Sequence, residues 1–455
     1  MTKHIVLNAF DKLAASQVGH GLWRHPESQR RRFNDPDYWI EYAQLAERGR
    51  LDALFFADAY GVAGTYRGST DTSIAHGIYF PTNDPSVFIP AMAAHTSHLG
   101  FGMTQSTSYE PAIVIARKLS SLDHVTKGRF GWNVVTSSSS TMARLHGVDL
   151  RDHDKRYDLA DELLDLLYTL WEGAWEEGFQ GRPSVDDFLY DPDKLHRIRF
   201  EGEHFKLDGF YPSEPSPQRT PFLFQAGNSP RGLAFAAKHA EVAMIAADTP
   251  AQARAQVAAV RELARAAGRD PAHLKFILTC VVVAEETDAA AQRRLADYRD
   301  HWSFEAALAT SASYSGYDLA SLDPDAVFEF HGTEQHQTGA RALEQAARDG
   351  LLVRELIERV SGLGSQNLVI SGGPSTVADQ LEEWIDEGGL DGFNAMPFVP
   401  LVDTRHLVEL VVPELVGRGR FRSEYLQGET LRERFFPGGG PKLADDHPGA
   451  RFRRA

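Results

Sequence analysis

Eight short runs rich in β-branched and aromatic residues recur along the chain, at 4–9, 51–57, 100–104, 130–135, 221–226, 241–246, 274–284 and 391–397. Amphipathic stretches lie between them, at 37–50, 112–123, 157–171, 231–238, 250–267 and 374–387. In 157–171, Leu159, Leu163, Leu166, Leu167 and Leu170 fall on one helical face, the spacing of a stripe turned toward a core. Repeated strand–helix alternation marks parallel βα units, and eight units close a cylinder. The expected fold is α/β, a (β/α)8 TIM barrel. A doubly wound open sheet is the alternative, because periodicity cannot show closure. A bare barrel takes about 250 residues, and this chain has 455. The surplus is assigned to insertions near 60–84, 173–218 and 303–372, within one domain over 1–436. The segment 437–455, rich in Gly, Pro and charge, reads as a disordered tail.

Composition removes several classes of function. Apolar residues at 42% and charged residues at 24% describe a soluble globular chain, and a net charge of −16 argues against nucleic acid or an anionic membrane as partner. The opening MTKHIVLNAF lacks the apolar core of a signal peptide, and the longest apolar run, 276–284, is too short to span a bilayer. The single cysteine, Cys280, sits in that run and reads as a small buried hydrophobe. A cytoplasmic protein is expected. No GxGxxG follows a strand: Gly362 and Gly364 lead to Asn367 where the third glycine belongs. Nor is there a phosphate loop, an HExxH, a CxxC or a GxSxG elbow. His95 with His98, and His331 with His336 around Glu334, bring no convincing third ligand, so no metal is expected.

If the strands are parallel, one rim collects their C-terminal ends, and that rim is where such folds carry chemistry. It would gather Asp58, Thr104 to Ser108, Asn133, Thr136 to Ser140 and Gln225 to Ser229. The most telling stretch is GRFGWNVVTS at 128–137, with SLDH at 121–124. A buried strand that opens into hydroxyl residues either feeds a site or ends in an ordinary Ser-rich turn. The set as a whole is polar, small and mostly neutral, which suits a large planar ligand with a phosphate tail. Gly227-Asn228-Ser229-Pro230 offers free N–H groups to an anion, or is a plain N-cap with proline in the first turn. His153 and Tyr157, one turn apart, either share an anionic group or form a surface pair. His20, in the loop HGLWRHP at 20–26, is either a reaction partner at the mouth or part of a loop network. Phe10, Phe55, Phe56, Trp132 and Phe393 read as core.

As a set, these pieces resemble a known family. They are Phe56-Ala57-Asp58, TSYEP at 107–111, SLDH, GRFGWNVVTS, Arg156-Tyr157, SEPSPQRTPFLFQAG at 213–227, AAKHAE at 236–241, DGFN at 391–394 and GETLRERFF at 428–436. The chain is similar to the bacterial-luciferase-like flavin monooxygenases, in the branch of nitrilotriacetate, dibenzothiophene-sulfone and dimethyl-sulfide monooxygenases. The resemblance implies FMN used as FMNH2, supplied by a separate NAD(P)H:flavin reductase, and O2 as co-substrate. One oxygen atom would enter a small organosulfur, aminopolycarboxylate or hydrocarbon substrate through a flavin C4a-(hydro)peroxide. It also implies a homo-oligomer, dimer or tetramer. Carried over by position, Asp58 and Thr104 face the isoalloxazine, His153, Tyr157 and Ser229 face the phosphate, and Asn133 and Ser137 are neighbours. His20 is the candidate for catalysis near the peroxide. Ser138 to Thr141 and Asn228 depart from the family pattern, so the pocket is expected to differ there. A deazaflavin F420-dependent oxidoreductase of the same fold, or a flavin-binding protein without turnover, are the alternatives.

Overall fold

The computed structural model describes residues 3–332, 337–365 and 367–454. Its strands are β1 (Val6–Asp11), β2 (Ala53–Phe56), β3 (Gly100–Ser106), β4 (Phe130–Val135), β5 (Arg197–Glu201), β6 (Lys206–Phe210), β7 (Phe222–Gln225), β8 (Val242–Ile245), β9 (Lys275–Ala284), β10 (Leu368–Gly372) and β11 (Gly392–Met396). Eight of them pair in parallel in the order β1-β2-β3-β4-β7-β8-β9-β11, and β11 returns to β1 with Asn394 opposite Asn8. The sheet is therefore a closed (β/α)8 barrel, and the open-sheet alternative falls. Each of the eight runs read from the sequence holds one barrel strand. The ninth parallel strand, β10, lies inside the third expected insertion and pairs with the upper half of β9, from Cys280 to Ala284, beyond the part that β8 covers.

Inward-facing residues alternate along each strand, and the lower half of the cylinder is apolar. Phe55, Phe222, Phe224, Val242, Met244 and Ile277 fill it, and Leu431 and Phe435 of the short C-terminal helix Leu431–Phe435 plug its base. Gly102 and Gly131 leave room for these rings: a Cβ would lie 2.3 Å from the Phe55 ring and 2.6 Å from the Phe224 ring, respectively. Outside the cylinder, the helix His153–Trp171 buries all five leucines of the expected stripe. The helix Pro230–His239 enters through Ser229 as N-cap with Pro230 in its first turn.

The insertion after the fourth helix carries the antiparallel hairpin β5–β6. The first and third insertions pack on one another instead of standing apart, sharing a small core of Tyr66, Ile78, Leu308, Leu319, Phe328 and Leu356. Beyond Pro437 the expectation of disorder is corrected. Leu443 and His447 are buried, His447 Nε2 lies 2.8 Å from the His239 carbonyl, and Arg453 pairs with Glu172 at 2.9 Å. A glycine-rich, charged composition concealed three anchors: Leu443, His447 and Phe452, the last two against the Tyr168 ring. Among the described residues no helix is long and apolar enough to cross a membrane.

Candidate active site at the barrel mouth

Polar side chains begin halfway up the cylinder. Asn8 donates to Asn394 Oδ1 at 2.9 Å across the β1–β11 pairing. On the other side, Asn133 and Thr104 are register partners of β4 and β3, and the Asn133 amide donates to Thr104 Oγ1 at 2.9 Å. One step higher the Ser137 hydroxyl donates to Ser106 Oγ at 2.8 Å, from a backbone at φ 53°, which a side-chain-bearing residue seldom adopts. Asn133 and Gln225 are 5% and 3% exposed, yet neither Asn133 Oδ1 nor Gln225 Oε1 has a hydrogen-bond partner. A buried acceptor left unmet costs about 1–3 kcal/mol. Two such acceptors on one rim mark where a ligand's donors would be received.

Tyr157 organises the side of the mouth toward β7. Burial raises the pKa of its phenol, and the neighbouring Ser229 and Thr136 hydroxyls pull it back. A Cβ on Gly227 would lie 2.4 Å from the phenol oxygen and 2.4 Å from Gln225 Nε2, so only glycine lets this backbone approach. Ser229 Oγ accepts from Gly232 N–H at 3.0 Å, which makes it a true N-cap as well as a neighbour of Tyr157. The His153 ring stands 5.3 Å from that of Tyr157, and its Nδ1 meets Asp154 at 2.7 Å. Asp152 holds the N-cap position of this helix but makes no side-chain cap. Tyr157, Ser229 and His153 thus converge on one spot beside a helix N-terminus, where an anion is favoured. The donor set and the glycine cradle fit a phosphate, and the uncapped amide acceptors fit the N–H edge of a flavin ring.

Asp58, just beyond β2, is raised in pKa by burial, with Lys12 pulling it back. Lys12 follows β1 directly and is 3% exposed. Its ammonium donates to the Ala59 carbonyl and lies 4.8 Å from the Tyr79 ring centroid. Its neighbour Asp11 is held by both Arg30 nitrogens, at 2.8 and 2.6 Å. The sequence reading overlooked Lys12, although an Asp-Lys pair closing the first barrel strand was a signal for it. It also overlooked an aromatic group drawn from three loops: Tyr109 stacks on His146 at 4.4 Å, and the Tyr60 hydroxyl meets His146 Nε2 at 2.8 Å. Ser139, in the unusual serine run, caps the short helix Ser140–Leu145.

His20 stands elsewhere, in the seam between the first loop and the third insertion. Its ring meets Trp302 edge-on at 5.2 Å, and its carbonyl accepts from Ser303 N–H at 2.8 Å. Its Nδ1 is buried without a partner, and burial, with His76 adding to it, lowers its pKa to about 4. His98 stacks on Tyr425 at 4.9 Å, below the start of β3 at the far end of the barrel from this mouth. Glu334 and His336 lie outside the described residues. His25, Asp297 and His301 do come together, with ligand atoms within 4.8 Å of one another. Hydrogen bonds account for this trio: His25 Nδ1 accepts from Glu27 N–H at 3.2 Å, which leaves its protonated Nε2 facing Asp297 at 3.1 Å.

The family model for luciferase-like monooxygenases matches residues 14–392. The whole chain is 40% identical over 455 residues to the long-chain alkane monooxygenase of Geobacillus thermodenitrificans (strain NG80-2), covering 99% of that protein. It is 40% identical over 461 residues to the dimethyl-sulfide monooxygenase of Hyphomicrobium sulfonivorans, covering 95% of that protein. Among solved structures, a riboflavin lyase with modified FMN and riboflavin superposes with a TM-score of 0.93 at 36% identity, over 100% of both chains. The chain belongs to the luciferase-like monooxygenase family.

Proposed function

We propose that this protein is the FMNH2-dependent oxygenase of a two-component system, working with a separate NAD(P)H:flavin reductase. It would insert one atom of O2 into a small uncharged substrate of the organosulfur or hydrocarbon class. The observation that carries this reading is the Tyr157–Ser229–Gly227 cradle facing the same mouth as the unmet acceptors of Asn133 and Gln225. When bound, the reduced flavin would supply the two electrons that activate O2, one atom of which enters the substrate while the other leaves as water. The protein's own residues bind, orient and dry the site. Ser229, Tyr157 and His153 would hold the phosphate, with Asn133, Thr104, Ser137 and Asp58 at the ring end. Phe10, packed on Phe55 at 5.3 Å, gives the ring end an apolar floor. The joined first and third insertions are placed to limit water entry. His20, in the seam against the third insertion, is held neutral by burial with His76 adding to it, so it would present a neutral ring there and not a cation. The substrate class follows the alkane and dimethyl-sulfide relatives, neither of which is named for a charged substrate.

Anaerobic titration with FMNH2 and with F420 tests the cofactor assignment, and tight binding of F420 alone would sink it. Ser229→Ala and Tyr157→Phe should each weaken FMNH2 binding by about 1–3 kcal/mol, as expected for lost hydrogen bonds to a charged group. Unchanged affinity in both would remove the phosphate assignment. With a flavin reductase and NADH present, O2 uptake above flavin autoxidation and coupled to an oxygenated product should appear with sulfide or alkane substrates. Equal uptake with every substrate would instead indicate a carrier without turnover.

A further inference from the structure

Three cations around the mouth are neutralised by near carboxylates. Arg30 is bidentate on Asp11, Arg231 lies 2.5 Å from Asp161, and Lys118 holds Glu110 at 2.8 Å. Lys12 differs. Among the described residues no carboxylate pairs directly with its ammonium, which touches a backbone carbonyl and an aromatic face while being almost wholly buried. Asp58 acts on it from a distance in its favour and Arg30 against it. A buried charge that lacks a close counter-ion is costly unless something else supplies one. Reduced flavin, unlike oxidised flavin, carries a negative charge on its ring near neutral pH, and a fixed cation beside the ring favours that form.

We propose that Lys12 is the counter-charge that makes this mouth prefer reduced, anionic flavin over oxidised flavin. Lys12 is a positioning and tuning residue, and the proposal rests on the flavin reading above. In a two-component system such a preference matters, because the oxygenase must capture flavin as the reductase releases it and let the oxidised form go.

The test compares anaerobic dissociation constants for FMNH2 and FMN in the parent, Lys12→Met, Lys12→Arg, Asp58→Asn and Tyr157→Phe proteins. Spectroelectrochemical midpoint potentials of bound FMN provide a second readout. Lys12→Met should cut the ratio of oxidised to reduced Kd by about tenfold and shift the potential negative, whereas Lys12→Arg keeps most of the preference. Tyr157→Phe should weaken both forms alike and leave the ratio unchanged. Asp58→Asn, which removes the competing anion, should raise the ratio. A folded Lys12→Met protein with the parent's ratio and potential overturns the proposal. If that variant does not fold, an unchanged or lower ratio in Asp58→Asn overturns it. A parent that binds neither form overturns the flavin reading itself, so the two failures are distinguishable.

Discussion

The two ends of the barrel are built from the same strands and treat their polar groups in opposite ways. At the base, carboxylates are locked to strand amides and arginines. Asp52 accepts from Leu7 N–H at 2.7 Å, Glu241 from Leu223 N–H at 3.0 Å and Asp391 from Phe276 N–H at 2.9 Å. Arg432 then closes on both oxygens of Glu241 at 2.6 and 2.9 Å, and Arg434 reaches the Asp52 and His98 carbonyls at 2.8 and 2.7 Å. At the mouth, Asn133 Oδ1 and Gln225 Oε1 go unmet. Lys12 and Asp58 are held away from their ordinary pKa values by burial. The carboxylates of the base are met without a ligand. The mouth has capacity left over, and in a barrel of this class that is the end where chemistry is expected.

The sharpest way to break this contrast is to unpair the base. Arg432→Met leaves Glu241 buried without its cation, and breaking a buried pair in this way costs about 3–5 kcal/mol. Urea unfolding followed by circular dichroism should show that loss, or the variant should fail to accumulate in soluble form. A loss below about 1 kcal/mol would mean that the base is not the stapled end described here.

The same contrast explains what was legible in the sequence. Several motifs that carried the family resemblance turn out to be joints of the base. Asp123 of SLDH accepts from the Gln218 amide at 2.6 Å, and Gln218 Nε2 also reaches the Phe130 carbonyl at 2.8 Å. Arg129 of GRFGW donates to the Leu99 carbonyl at 2.7 Å, and Thr430 and Glu433 of GETLRERFF form a capping box. Contiguous motifs are easy to read because their spacing is local. The mouth is assembled from single residues on different loops: the strand ends bring Asp58, Thr104 and Ser229 to one rim, but only the resemblance assigns each a part of the flavin to face. Lys12 and the Tyr60–His146–Tyr109 group depend on the angles at which loops return, which no periodicity encodes. The tail misled for a related reason: three anchors in a polar segment leave no hydrophobic pattern.

Away from the base the expected effects are smaller and depend on conditions. His20 has a folded pKa of about 4 against 6.5 for the free side chain. Between those values the unfolded chain binds a proton that the folded chain refuses, so stability falls as pH falls from 6.5 toward 4. At pH 5 this amounts to about 2 kcal/mol for His20 alone. His239 and His447 are also lowered by burial and act with the same sign, so the parent's acid sensitivity is shared. His20→Gln isolates one contribution. Relative to the parent, it should be about 2 kcal/mol more stable at pH 5 than at pH 8. A pH-independent difference in urea midpoints would show that His20 is not held neutral.

The smallest effect is the one that separates a ligand's place from a packing flaw. Gln225→Met keeps the side chain's length while deleting an amide whose oxygen is buried and unmet. Removing such a group without leaving a partner behind is near neutral or slightly stabilising, within about 1 kcal/mol. If the Gln225 oxygen exists to receive a donor from bound flavin, the same change should weaken FMNH2 binding by about 1 kcal/mol while thermal unfolding stays put or rises. A protein that loses stability but keeps its flavin affinity would move Gln225 to the base's side of the comparison, as an element of packing. Opposite signs in the two measurements would instead tie the unmet acceptors of the mouth to what the mouth binds.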